Sequence, residues 1–261
     1  MIYDIVNNVR KKRPLIHNIT NYVTATDCAN ITLTVGASPI MADDPLETYE
    51  VASVSDGLVL NTGTISEKRI EAMLCAGNAA NKKHIPIILD PVGMGISNLR
   101  KRAVTSILAK VKPNVIRLNY SELKSMVNDE TNVHGVDSAD CDSTQNVITL
   151  AKKLSQKTGA VVGVSGVSDV ITDGDKTAVI KSGHKMMKLI TGSGCMLSSV
   201  IGAYCGGNHD NLFNATVAAF AVYGICGKRA YRENIGTLSY KISLFDEMTN
   251  PNLEGIEIEY R

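Results

Sequence analysis

Apolar residues recur along this chain in two alternating rhythms. Ile2, Ile5, Val6 and Val9 fall at helical spacing and predict a short amphipathic helix that Pro14 ends. Residues 15–19 read as a strand, and a helical pattern then runs through Cys28, Ile31, Leu33 and Val35 to a stop at Gly36. Residues 37–41 predict a second short strand. From there strands and helices take turns. Strand 57–60 precedes a helix carrying Ile70, Met73, Leu74 and Gly77, and strand 86–89 precedes one carrying Val104, Ile107, Leu108 and Val111. Strand 115–118 leads into a helix begun by Leu123, Met126 and Val127. A further helix, marked by Val147, Leu150, Ala151 and Leu154, stands before strand 161–164. Residues 169–171 and 177–180 predict a hairpin about the turn Thr172-Asp173-Gly174-Asp175. After residue 190 the chain reads as nearly all helix.

Unbroken apolar strands separated by helices predict an α/β fold, a mostly parallel sheet covered on both faces. The polar, acidic stretch 128–142 reads as a surface loop. No repeat, linker or shift in composition divides the chain, so a single domain over residues 1–261 is expected.

Composition narrows the classes of function. A net charge of +1, with 20% charged residues, supplies no field to recruit nucleic acid or an anionic membrane. The basic cluster at residues 10–13 reads as a solvated face. The longest near-apolar run, 215–227, is well short of the ~20 residues that span a bilayer. Cysteines at 28, 75, 141, 195, 205 and 226 form no C-x-x-C pair and no zinc spacing. That usage suggests a reducing compartment, and the first residues lack an apolar signal core. A cytoplasmic protein is expected.

The candidate chemistry gathers where strands end, and in open α/β sheets ligands sit beyond the carboxyl ends of the strands. Asn61-Thr62-Gly63, Asp90, Arg117 to Asn119 with Glu122, and Ser165-Gly166 all occupy such ends. A second signal is the turn Thr191-Gly192-Ser193-Gly194-Cys195. It runs into Met196, Leu197, Val200, Ile201 and Tyr204, an apolar helical face. A glycine turn opening a buried helix presents free N–H groups at the positive end of the helix dipole, a ready phosphate site. Phosphoryl transfer needs such a cradle, a magnesium held by carboxylates and water, and a group to orient the attacking hydroxyl. Asp90 and Glu122 are the carboxylates, Arg117 a partner for phosphate oxygens, and Cys195 stands where a proton acceptor is wanted. Each residue also has an ordinary alternative. Asp90 before Pro91 can cap a turn, Arg117 can be a surface cation, and Glu122 can support a helix N-terminus. His17, a base by residue type, reads as structural.

Six motifs, HNITNYV, GASPIMADDP, LNTGTIS, LDPVGMG, RLNYSEL and ITGSGCM, occur in an order and spacing that resemble the hydroxyethylthiazole kinases over about residues 13–240. The resemblance implies a ribokinase-like, three-layer α/β/α fold. It also implies ATP-dependent phosphorylation of 4-methyl-5-(2-hydroxyethyl)thiazole, with Mg2+, for thiamine salvage. By resemblance, Met41 and Gly192 contact the thiazole, with Asn21 and Val23 near it. Arg117 and Ser165 contact ATP beside Gly194 of the phosphate turn, Asp90 and Glu122 lie near magnesium, and Cys195 is the catalytic cysteine. Leu118 stands where the family often has glycine, and Met94-Gly95-Ile96-Ser97 replaces a smaller run. The family also implies a homotrimer with sites between subunits. The separation of Asn21 to Met41 from Gly192 to Cys195 in the chain suggests that Met41 and Cys195 serving one thiazole come from different copies. The neighbouring alternatives are a hydroxymethylpyrimidine or pyridoxal kinase, against which HNITNYV and GASPIM count. An ATP-dependent dehydratase normally carries Asp where Cys195 stands. A nucleotide-binding module without catalysis is the remaining class.

Overall fold

The computed structural model describes residues 1–128 and 143–261. The stretch expected as a surface loop, 128–142, lies outside them apart from its first residue. Among the described residues, nine strands form one sheet. They are β1 (Leu15–Ile19), β2 (Ser38–Ile40), β3 (Gly57–Asn61), β4 (Ile87–Asp90), β5 (Val115–Asn119), β6 (Val161–Ser165), β7 (Asp169–Thr172), β8 (Thr177–Ile180) and β9 (Ile258–Tyr260). Their spatial order is β2-β1-β3-β4-β5-β6-β7-β8-β9. The strands from β1 to β6 pair in parallel, and β7, β8 and β9 extend the sheet antiparallel.

Strand alternation sorts the apolar residues to two faces. Ile16, Val59, Ile88, Val115 and Val161 face one core with α1 (Ile2–Lys12), α2 (Ala25–Thr34), α8 (Ser193–Gly207), α9 (Leu212–Arg229) and α10 (Thr237–Thr249). Leu58, Leu60, Ile87, Leu89, Ile116 and Val162 face the other, with α4 (Glu67–Lys83), α5 (Asn98–Lys110), α6 (Tyr120–Asn128) and α7 (Thr144–Thr158). Parallel strands buried on both faces need continuous apolar runs, which is why periodicity located them. From Met196 to Gly207, α8 is buried all round, as a central helix of a layered domain must be.

Three elements depart from the expectations. The segment after β2 is a helix, α3 (Pro45–Val54), opened by Asp44, whose side chain accepts from Leu46 N, with Pro45 in the first turn. Asp-Pro is a start signal for a helix, masked here by weak amphipathicity. The C-terminus adds β9 against β8, and residues Lys185–Leu189 form a 3₁₀ helix. The basic cluster on α1 is also only partly solvated. Arg10 donates to the carbonyl of Thr249 and Lys12 to that of Gly207, tying α1 to the ends of α10 and α8. Among the described residues no helix is long and apolar enough to cross a membrane.

The order β2-β1-β3 means that the chain leaves β1 in one direction and returns past it in the other. The connections leaving the carboxyl ends of β1 and β3 therefore run to opposite faces, the place where such sheets leave a crevice for a ligand. That crevice fixes where the site sits.

Candidate active site

The alternation that sorts the core also aims the polar strand ends. Asn18, Asn61, Asp90, Arg117 and Ser165 share parity with Ile16, Val59, Ile88, Val115 and Val161, so all five turn toward α8. Two serines on α8 meet this row. Ser198 Oγ donates to Asp90 Oδ2 at 2.7 Å, and Ser199 Oγ to Asn18 Oδ1 at 3.0 Å.

The N-terminus of α8 is built by two glycines. Gly192 has φ +83°, and a Cβ there would lie 2.3 Å from Thr24 Cγ2, so both backbone and packing demand glycine. A Cβ on Gly194 would lie 2.4 Å from Arg117 Nη1. The guanidinium thus rests directly against the first turn. No side chain caps this helix, which leaves first-turn N–H groups facing the same space as the arginine. A helix N-terminus and a guanidinium side by side form an anion site.

Cys195 lies in that first turn, in the crevice. Asn21 Nδ2 approaches its Sγ at 3.2 Å and Asn61 Nδ2 at 3.3 Å. The Asn61 amide has one consistent orientation: Oδ1 accepts from Gly63 N at 2.9 Å and Asn21 Nδ2 at 3.0 Å, while Nδ2 donates to Asp90 Oδ2 at 2.8 Å. A backbone N–H only donates and a carboxylate only accepts, so the amide cannot be flipped without breaking both bonds. Two N–H groups therefore point at the sulfur, and Asn61 links it to Asp90.

Asp90 is fully buried. Its Oδ1 has no hydrogen-bond partner and lies 3.7 Å from Arg117 Nη1; Arg117 Nη2 donates to Ser165 Oγ at 2.6 Å, and Arg117 Nε is unpartnered. Buried polar atoms without partners are costly and rare; two in one crevice mark a place that expects polar company. Glu122 performs its helix-terminal role: Asn119 Oδ1 accepts from Glu122 N, and Glu122 Oε2 accepts from Asn119 N, a reciprocal cap of α6. Its Oε1 reaches further, accepting from Gly93 N at 3.0 Å in the loop after Asp90.

Burial raises three acids here above their ordinary values. Desolvation pushes up the Asp90 carboxyl, against the pull of the Arg117 charge and the Ser198 and Asn61 donors. Glu122 is raised by burial and by Asp90. The Cys195 thiol is also raised, by burial and then by Asp90, while the Thr24, Asn21 and Asn61 side chains favour the thiolate.

The structure thus brings together Asn21, Asp90, Arg117, Ser165, Gly192, Gly194 and Cys195, with Glu122 behind the Asp90 loop. The two groups distant in sequence meet within one chain, through Asn21 with Cys195 and Thr24 with Gly192. Met41 follows β2, the edge strand, and is half-buried, whereas Val23 is 57% exposed. His17 is buried with Nε2 on the carbonyl of Ala42 at 2.8 Å and its pKa lowered by burial, consistent with a structural residue. Leu118 is buried on the opposite face from Arg117. Sequence reasoning placed Asn61 among the polar strand ends without giving it a role, and did not single out Thr24 and Ser198. Strand parity identifies Asn61, and the spacing of Cys195 and Ser198, three apart on α8, identifies Ser198.

Comparison with known proteins gives a consistent result. The model of the hydroxyethylthiazole kinase family matches residues 6–254. A hydroxyethylthiazole kinase of Ruminiclostridium cellulolyticum is 45% identical over 248 residues, 94% of this chain and 90% of that protein. The structure of hydroxyethylthiazole kinase protein from Pyrococcus horikoshii OT3 superposes with a TM-score of 0.91 at 29% identity, covering 100% of this chain and 98% of the other. The pyridoxal kinase of Staphylococcus aureus, solved with AMP-PCP and pyridoxal, has a TM-score of 0.63 at 13% identity over 95% of this chain and 97% of that one. Both structures share the three-layer α/β/α fold of this chain, the ribokinase-like fold.

Proposed function

The chain belongs to the hydroxyethylthiazole kinase family, and we propose on that footing that it phosphorylates the side-chain hydroxyl of 4-methyl-5-(2-hydroxyethyl)thiazole with ATP, for thiamine salvage. The observation that carries the reading is Cys195 at the open end of α8, two amide donors aimed at its sulfur, beside the anion site of Arg117 and Gly194.

Phosphoryl transfer is mostly positioning and charge stabilisation. Arg117, held by Ser165, and the first-turn N–H groups at Gly194 gather the oxygens of the transferring phosphate. Gly192 and Asn21 border the crevice where the alcohol lies, with Val23 and Met41 at its outer side. The acceptor oxygen bonds to phosphorus as the bond to ADP breaks, and its proton passes to Cys195 Sγ. The Asn21 and Asn61 N–H groups enlarge the thiolate fraction that a raised pKa keeps small.

Asp90 and Glu122 fit magnesium. Asp90 Oδ1 is a buried carboxylate oxygen without a hydrogen bond, and Glu122 holds the loop beside it. Among the described residues no three His, Cys, Asp or Glu side chains form a cage, and Mg2+ is characteristically held by one or two carboxylates, phosphates and water. The ion, when bound, neutralises charge on the phosphate oxygens.

We read residues 1–261 as one kinase domain, on the ground that strands from Leu15 to Tyr260 share a sheet. Free cysteines at 28, 75, 195, 205 and 226 support a cytoplasmic location. A homotrimer, in which Met41 beyond the edge strand closes a neighbour's crevice, is supported by the exposure of Val23 and the open edge of β2. Sedimentation of an active monomer rejects that assembly.

The test is ADP release with Mg-ATP against the thiazole alcohol, hydroxymethylpyrimidine and pyridoxal. The thiazole is expected to give the highest kcat/KM; a preference for either rival overturns the assignment.

A further inference from the structure

Two arginines outside the site are committed to the loops around it. Arg69 is on α4 and largely buried. Its Nη1 donates to the carbonyl of Thr20 at 2.6 Å and to Thr64 Oγ1 at 2.9 Å, and its Nη2 to Asp43 Oδ2 at 2.8 Å. These partners stand on the loops after β1, β3 and β2. Arg100 is on α5. Its Nη1 donates to the carbonyls of Thr62 at 2.6 Å and Val92 at 2.7 Å, and its Nη2 to that of Gly63. Residues 62–64 are therefore gripped twice, by Arg69 toward the β1 and β2 loops and by Arg100 toward the β4 loop.

The local sequence is the same in both places. Ser66 caps α4 by accepting from Arg69 N, and Ser97 caps α5 by accepting from Arg100 N. Each arginine is thus the third residue of its helix, where a capping box has glutamate or glutamine. A cation there opposes the helix dipole. Helix stability does not explain the choice, whereas the loop carbonyls do. A planar guanidinium reaches several acceptors in different directions at once, which an ammonium on a flexible stem does not.

We propose that Arg69 and Arg100 are positioning residues that divide the site between them. Arg69 fixes the loops of Asn21, Val23 and Met41, the acceptor side; Arg100 fixes the loop from Asp90 to Gly95, the phosphate and magnesium side. The naming of the sides rests on the functional reading above, but the division of the loops does not.

The test compares Arg69→Met, Arg100→Met and Arg69→Lys by steady-state kinetics and by amide hydrogen exchange. Arg69→Met should raise KM for the thiazole alcohol about tenfold and leave KM for ATP within about twofold; Arg100→Met should do the reverse, and Arg69→Lys should fall between wild type and Arg69→Met. Exchange should quicken at 20–24 and 41–44 in the first variant and at 92–95 in the second. Equal changes in both KM values, or a lower melting temperature with exchange quickened everywhere, overturns the division. If Arg69→Met does not fold, Asp43→Ala removes the acceptor of one of the three bonds and should shift the thiazole KM alone, by about twofold; no shift overturns the role of Arg69. If wild-type protein does not use the thiazole, the functional reading fails, and the exchange pattern alone decides the clamps.

Discussion

The two faces of the sheet use the same parallel strands one residue out of step. Toward α4 to α7, β1, β3, β4, β5 and β6 end on Ile19, Leu60, Leu89, Leu118 and Val164, buried among apolar neighbours. Toward α8 the adjacent residues are Asn18, Asn61, Asp90, Arg117 and Ser165. The strand residues of the first face remove apolar surface from water, at about 25 cal/mol per Å². The second breaks off its core at the crevice and buries a carboxylate oxygen and a guanidinium nitrogen with no hydrogen bond, which costs stability. Among the strand residues, the polar groups of the site are confined to the face that accepts that cost.

Neighbouring residues should therefore fail in opposite ways. Asp90→Asn should lower kcat about 10³-fold, the scale of losing one preorganised charge contact, with the denaturant midpoint nearly unchanged because the buried charge goes too. Leu89→Ala, one residue earlier, should cost about 2–5 kcal/mol of stability while kcat per folded molecule stays within a fewfold of wild type. Urea titration and active-site-normalised kinetics on both variants read the contrast. The same symptom in both would mean that the faces are not functionally distinct.

Cys195 sharpens the comparison, because it belongs to the helix that closes the polar face. In a loose transition state the acceptor proton leaves late, so a base contributes modestly. Cys195→Ala should lose about 10²-fold in kcat rather than all activity. Cys195→Asp should stay active, since a carboxylate can accept the same proton. A dead Asp variant that still binds ATP would show that the sulfur does more than accept a proton.

The legibility of each region follows from the same comparison. Apolar runs reveal parallel strands, so the strands from β1 to β6 and the intervening helices other than α3 were visible from periodicity alone. By contrast, α3 escaped because only Thr48 and Ala52 are fully buried along it, and β9 because three half-exposed or exposed residues carry no pattern. Asp90, Arg117, Glu122 and Cys195 stood out as charged or reactive groups at strand and helix ends. Asn61 stood among those ends without a role, because an asparagine before Thr-Gly reads as turn chemistry; its part depends on the side of the sheet it faces. Arg69 and Arg100 were invisible for another reason: most of their partners are backbone carbonyls, which sequence does not distinguish, and the Thr64 and Asp43 side chains that Arg69 also meets lie on loops that only the fold brings to α4.

The polar row continues one strand further than the parallel sheet. Asp169 opens β7, which runs antiparallel to β6 and so begins at the crevice end, and it shares parity with Ile171 of the α8–α9 core. Its Oδ1 accepts from Gly166 N at 3.0 Å. Burial pushes its carboxyl up to about 7, against the pull of that N–H and of the Arg117 charge, where a free aspartate titrates near ~3.9. Between those two values the folded protein keeps a proton that the unfolded chain has released, so the folded state binds more protons and stability must fall as pH rises from about 4 to about 7. Below and above that window the group contributes no slope. A full shift corresponds to roughly 4 kcal/mol at 1.36 kcal/mol per unit, but the side chain keeps part of its surface in water, so the expected contribution is on the order of 1 kcal/mol. Asp169→Asn removes the group. Its stability relative to wild type, from urea midpoints, should therefore improve between pH 5 and pH 8. If the difference between the two proteins is the same at both pH values, Asp169 is ionised like a surface carboxylate and the polar row stops at Ser165.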